Sequence, residues 1–183
     1  MKHIKSKTHL LPFLAFLLLH ASFMTPDTKS TEDLSFLIGK WEISRVYGPG
    51  TDRERIQKGT LNCEKCLDDQ FIKCTYAMER PGKKRALDEV FFNYNPIYDS
   101  YESLWFSSTW PIKVLLQGTL EKLENHTILK TSARFKIEND VTEYVKDELI
   151  YSDQDLFNRE THVRTDEADD WYHHMTETAK RIN

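Results

Sequence analysis

Ile112-Lys113-Val114-Leu115-Leu116-Gln117 and, beyond a Glu124-Asn125 turn, Leu129-Lys130-Thr131-Ser132-Ala133-Arg134-Phe135-Lys136 decide the fold class. In the first run Ile112, Val114 and Leu116 alternate with Lys113 and Gln117. In the second, Leu129, Ala133 and Phe135 alternate with Lys130, Arg134 and Lys136. An extended chain sends successive side chains to opposite faces, so each run has one buried and one wet face. These are half-buried β-strands.

The same reading extends in both directions. Trp41, Ile43 and Tyr47 share a face of an extended segment, with Glu42 and Ser44 on the other, until Gly48-Pro49-Gly50 breaks it. Further strand-like runs span about 54–63, 70–80, 86–94, 101–109, 112–121, 126–137, 141–150, 155–164 and 171–181. Between them stands turn chemistry: Asp68-Asp69, Pro81-Gly82, Asn95-Pro96, Trp110-Pro111, Asn139-Asp140 and Ser152-Asp153. Helical period appears once, where Leu34, Phe36, Leu37 and Ile38 follow the helix-start residues Thr31-Glu32-Asp33 and stop at Gly39. The expected architecture is all-β: an antiparallel meander of about ten strands, closed into a barrel because closure leaves no exposed edge, with a short N-terminal helical turn at one end.

The chain has 183 residues, 39% of them hydrophobic and 12% aromatic, with six glycines and six prolines. That is globular composition for one domain with a self-sufficient core. Lys2, Lys5 and Lys7 precede an apolar block, Leu10 to Leu19, that is short for a membrane span, and no acid occurs before Asp27. This is the order of a secretory signal peptide, with Ala21 and Ser22 as small residues for cleavage. The division expected is a signal peptide over 1–24, a polar leader over 25–33 and a barrel over 34–183, in a secreted or periplasmic protein. Residues 1–24 hold three lysines and no acid, so 22 basic and 29 acidic residues remain, a formal charge of −7. Such a surface argues against nucleic acid as a partner. The segment Asp166 to Asp170 reads as a solvated acidic loop.

Cys63, Cys66 and Cys74 lie within twelve positions, an odd number for an exported protein. If Asp68-Asp69 centres a hairpin, Cys63 stands opposite Cys74 and Cys66 opposite Phe71, which makes Cys63 with Cys74 the first choice of disulfide. Three buried free thiols are the other reading.

Gly39-Lys40-Trp41, at the junction of helical turn and first strand, resembles the Gly-x-Trp start of lipocalins and related calycin barrels. Tyr98-Asp99, Trp105-Phe106 and Gly118, in that order, and the final run Met175 to Arg181 are similar to bacterial secreted lipocalin-like domains of unknown function. The resemblance covers roughly 31–182. It implies structural roles for Gly39, Trp41 and Arg181, with the last-strand Arg181 lying over Trp41; a register shift of one would put Lys180 there instead. Function does not follow from such a barrel by itself.

The chain carries no Gly-x-Ser-x-Gly, P-loop, dinucleotide-binding glycine fingerprint or His-Glu-x-x-His. Phe91, Phe92, Tyr94, Tyr101, Trp105, Phe106 and Trp110 form its densest aromatic zone. Alternation sends part of this zone inward, to fill the barrel or to line a pocket for a small apolar or amphipathic ligand. Phe91, Tyr101, Trp105, Phe106 and Trp110 are the pocket candidates. Adjacent His173 and His174 face opposite ways on a strand, so one of them is placed to enter the barrel. An inward histidine in such a barrel resembles the haem ligand of nitric-oxide-handling haem barrels, which makes haem or a metal the rival reading. His173 and Glu177, four apart on a strand, would share a face. Asp88, Glu89 and Glu143 are the acids whose burial would favour an isomerase or hydrolase, and a filled barrel would instead serve as a protein-interaction module. Asn125-His126-Thr127 forms a glycosylation sequon in a predicted turn. The leading expectation is a binding barrel without catalysis and without a bound cofactor.

Overall fold

The computed structural model describes residues 28–111, 113–137, 140–153, 155–166 and 169–182. The expected signal peptide over 1–24, the start of the leader and Ile112 lie outside them. A 3₁₀ turn, Thr31–Leu37, is followed by β1 (Gly39–Tyr47), β2 (Arg55–Cys66), β3 (Phe71–Met78), β4 (Ala86–Asn95), β5 (Ser100–Ser107), β6 (Val114–Lys122), β7 (Thr127–Lys136), β8 (Thr142–Asp153), β9 (Leu156–Arg164) and β10 (Tyr172–Ile182). Each strand pairs antiparallel with its sequence neighbours, and β1 pairs with β10 to close the barrel. Among the described residues no helix is long and apolar enough to cross a membrane.

The 3₁₀ turn starts at Ser30, whose N–H donates to Asp33 Oδ2 at 2.7 Å while the Asp33 N–H donates back to the Ser30 carbonyl at 3.2 Å. Lys122 and the Tyr101 hydroxyl also donate to the Asp33 carboxylate, at 2.6 Å each. Burial works against its charge, but these donors win and hold Asp33 below the usual carboxylate range. The turn thereby plugs one end of the barrel, where Leu34 and Leu37 are buried with Trp41, Ile43, Leu61, Phe92 and Phe157. Arg181 closes the same end. Its guanidinium lies 4.0 Å from the centre of the Trp41 ring and donates to the Ile38 and Phe36 carbonyls at 2.5 and 3.1 Å. Lys180 points outward. Gly39 has φ of +131°, and a Cβ there would overlap Arg181 Nη1, so the turn into β1 requires glycine.

Leu67, Asp68 and Asp69 all adopt left-handed φ in the β2–β3 loop, which sets the register. Cys63 then faces Cys74, Cys66 faces Phe71, and the Cys63 and Cys74 sulfurs are bonded. Cys66 is a free thiol. On β6, Gly118 lies opposite Thr131, and a Cβ at 118 would overlap the Lys130 carbonyl oxygen.

Candidate ligand-binding site

Opposite the plugged end the barrel opens. Inward positions continue up each strand, and midway they become polar. On β1 the inward series is Trp41, Ile43, Arg45; on β10 Glu177 stands opposite Arg45, and on β9 Arg159 stands opposite Glu177. All three are buried. Arg45 Nε donates to Glu177 Oε2, and Arg45 Nη1 lies 3.6 Å from Asp88 Oδ2. Arg159 Nε donates to both Asp147 oxygens, at 2.7 and 2.8 Å, and the Thr161 hydroxyl donates to the same carboxylate at 2.7 Å.

Two aromatic rings lie between these ion pairs. Arg45 sits 4.4 Å from the Tyr76 ring centre, Tyr76 stacks on Trp105 at 5.5 Å, and Arg159 sits 4.1 Å from Trp105. Guanidinium, phenol, indole and guanidinium thus form one column across the interior. Burial alone would discharge such groups, yet the Glu177 carboxylate overrides it and holds Arg45 charged well above its ordinary value, as Asp147 does for Arg159. The Tyr76 phenol, fully buried beside Glu177, is pushed up and stays neutral.

Above this column is a cavity of about 440 Å³. Its apolar wall includes Trp105, Val114, Leu116, Phe135, Val145 and Val163; Trp110 packs edge-on against Phe135 at the mouth, ring centres 5.7 Å apart. Its floor includes Arg45, Asp88 and Arg159. Among the described residues, Arg45 Nη2 and Asp88 Oδ1 are buried there without a hydrogen-bond partner. Buried polar atoms are almost always paired, so two orphans on one ion pair mark where a molecule can supply the missing partners. Glu143 and His174 stand on the rim. Burial raises the Glu143 carboxyl; burial, with the charges of Arg55 and His173, lowers His174.

The aromatic candidates divide. Trp105 and Trp110 line the cavity, and Phe106 borders its mouth while packing edge-on against Phe91. Phe91 does not reach the cavity, because its parity on β4 turns it outward beside Lys73. Tyr101 points inward but at the plugged end, where its hydroxyl is committed to Asp33. Glu89 faces out and pairs with Lys73 at 2.7 Å.

The pairing of His173 with Glu177 is corrected by a β-bulge. The register slips between His173 and Met175, so the two residues fall on opposite faces: Glu177 inside on Arg45, His173 outside, stacked on His162. His174 is left on the rim between the Tyr47 and Tyr172 rings. The buried charges Arg45, Asp147 and Arg159, and Tyr76 with them, are absent from the sequence-derived candidates, and Glu177 entered them only as a partner of His173. A signal was there, since Arg45 has the parity of Trp41, Ile43 and Tyr47.

Residues 27–181 match the family described as "Protein of unknown function (DUF1579)". No curated protein matches the chain. Among solved structures, the crystal structure of Rv2717c from M. tuberculosis is similar with a TM-score of 0.66 at 12% identity, covering 83% of this chain and 96% of that one. The S-type phycobiliprotein lyase CPES from Guillardia theta gives 0.52 at 9% identity, covering 85% and 94%. At these identities the likeness is one of fold.

Proposed function

The chain belongs to the DUF1579 family, and on that premise we propose that it is an exported barrel that binds one small amphipathic molecule in its open end. The observation that carries this reading is the apolar-walled cavity of about 440 Å³ whose floor presents Arg45 Nη2 and Asp88 Oδ1 without partners. The volume falls in the range of small-molecule sites. Arg45 needs an acceptor and Asp88 a donor, so the matching head carries both: an amide, a hydroxyl or an un-ionised acid. An ionised carboxylate would satisfy Arg45 and repel Asp88. The ligand's apolar body would lie against Trp105, Leu116 and Phe135. Ring-bearing ligands suit the indole faces.

Export is supported by the basic-then-apolar N-terminal segment. The Cys63–Cys74 bond suits an oxidising compartment.

Native mass spectrometry of the protein purified from its own host tests the binding reading. The expected result is a non-covalent mass lost on denaturation, reduced when Arg45→Met or Trp105→Ala is made. A bare chain that also fails to bind long-chain amides and alcohols in a Trp-fluorescence titration would overturn it.

Asp88, half-buried beside Arg45 on the cavity floor, favours a second reading in which it serves as a base on the bound molecule. A recovered ligand unchanged in mass and chromatographic retention after incubation with the protein rejects that reading while leaving binding intact.

A further inference from the structure

The bulge on β10 does more than place His174 on the rim. It turns His173 to the outer wall, directly opposite His162 on β9, where the two imidazoles stack with ring centres 4.7 Å apart and planes 14° from parallel. Glu160 is two residues before His162 on the same strand and therefore shares its face. One donor atom each from Glu160, His162 and His173 lies within 4.8 Å of the other two. Bulges re-aim side chains next to functional sites, and this one completes a three-donor cluster that regular alternation would have dispersed.

We propose that Glu160, His162 and His173 form a surface site for a divalent transition-metal ion, of the zinc class. Two imidazoles and one carboxylate are the donor set of open zinc sites, in which water takes the fourth position. Tetrahedral zinc holds its donors roughly 3.3 Å apart. The donors, within 4.8 Å of one another, would close by rotation of the Glu160 and His162 side chains on the outer face of the paired strands.

Two neighbouring features support a cation here. Glu148 on β8 stands directly opposite Glu160, and like charges facing each other across a ladder are unfavourable until a cation lies between or beside them. Lys130, opposite Glu148 on β7, offsets part of that charge while its ammonium bonds Glu121 at 2.8 Å. Lys146, opposite His162, lies over the Trp171 ring at 4.2 Å, which accounts for its ammonium elsewhere. On the other side, the Thr176 hydroxyl and His173 Nε2 are 3.0 Å apart, a hydrogen bond that sets the ring's rotation and leaves the other ring nitrogen for metal. The site is outside the barrel and does not depend on the cavity's function.

Titration of the untagged full chain with zinc chloride, read by calorimetry and by thermal unfolding, tests the proposal. One equivalent should bind saturably, with a rise in Tm. His162→Gln and His173→Gln should each weaken binding at least 10-fold, Glu160→Gln by several-fold and Thr176→Val by about 10-fold, while His174→Gln leaves it unchanged. Circular dichroism of each variant shows that the barrel is intact. Wild-type stoichiometry and affinity in the His162→Gln, His173→Gln double variant would overturn the proposal, as would no binding at millimolar zinc.

Discussion

Arg181 lies over Trp41 with its guanidinium carbon 4.0 Å from the ring centre, and the same guanidinium donates to two carbonyls of the 3₁₀ turn. One side chain therefore ties the last strand, the first strand and the plug together. Arg181→Ala removes the cation–π contact and leaves the Ile38 and Phe36 carbonyls without these donors. The expected loss is about 2–3 kcal/mol, measured by urea unfolding, with Lys180→Ala near neutral.

Glu177 is fully buried against Arg45. Glu177→Gln leaves a buried guanidinium with only the longer 3.6 Å contact to Asp88 as counter-charge, at a cost of about 3 kcal/mol. The double variant Arg45→Met, Glu177→Leu should recover most of that loss, because it removes both desolvated charges together. Chemical denaturation of the single and double variants in a thermodynamic cycle reads the coupling.

Two rim groups act oppositely on the pH profile of stability. His174 titrates below its ordinary value of 6.5 in the folded chain. Above 6.5 both states hold it neutral; as pH falls, the unfolded chain takes up the proton first, and stability is lost down through the folded value. Glu143 titrates above its ordinary 4.5. Its contribution is full below 4.5 and is lost as pH rises through the folded value. His174→Gln should flatten the slope just below 6.5, and Glu143→Gln the slope just above 4.5, in unfolding curves taken across pH.

The bond between Cys63 and Cys74, eleven positions apart, closes a short loop. Reduction, or the change of both to alanine, should cost about 2–3 kcal/mol. Alkylating the free Cys66 should not move the unfolding midpoint, and a thermal melt with and without reductant distinguishes the two.

A Cβ at position 118 would meet the Lys130 carbonyl across the β6–β7 ladder. Gly118→Ala should therefore destabilise by about 2–3 kcal/mol, and hydrogen exchange should show the loss concentrated on β6 and β7.

The sequence carried the barrel because strand character is local. Alternation along Leu129 to Lys136 and turn residues such as Asp68-Asp69 act within a few positions, and the ten strands fall close to the runs read from them. The register of the Cys63 hairpin was legible for the same reason, since a loop's length sets which residues face each other. The resemblance at Gly39-Lys40-Trp41 pointed to Arg181, a contact between chain ends that no local rule supplies.

The site was less legible. Parity alone assigns Arg45 and Glu177 to the inside, but hydrophobicity argues against burying either, and only their meeting across β1 and β10 makes that burial tolerable. Phe91 and Tyr101 have the composition of pocket residues; face and height along the barrel, which depend on the closure of all ten strands, took both away from the cavity. The bulge at His173 reversed which face that histidine occupies, and a one-residue slip between paired strands leaves no mark in either strand read separately. The chain by itself thus determined which segments are strands and which are turns, through the two-residue period of its side chains. Which polar groups share the interior, and which histidine stands outside beside another, was decided by the tertiary structure, because those outcomes depend on partners distant in sequence.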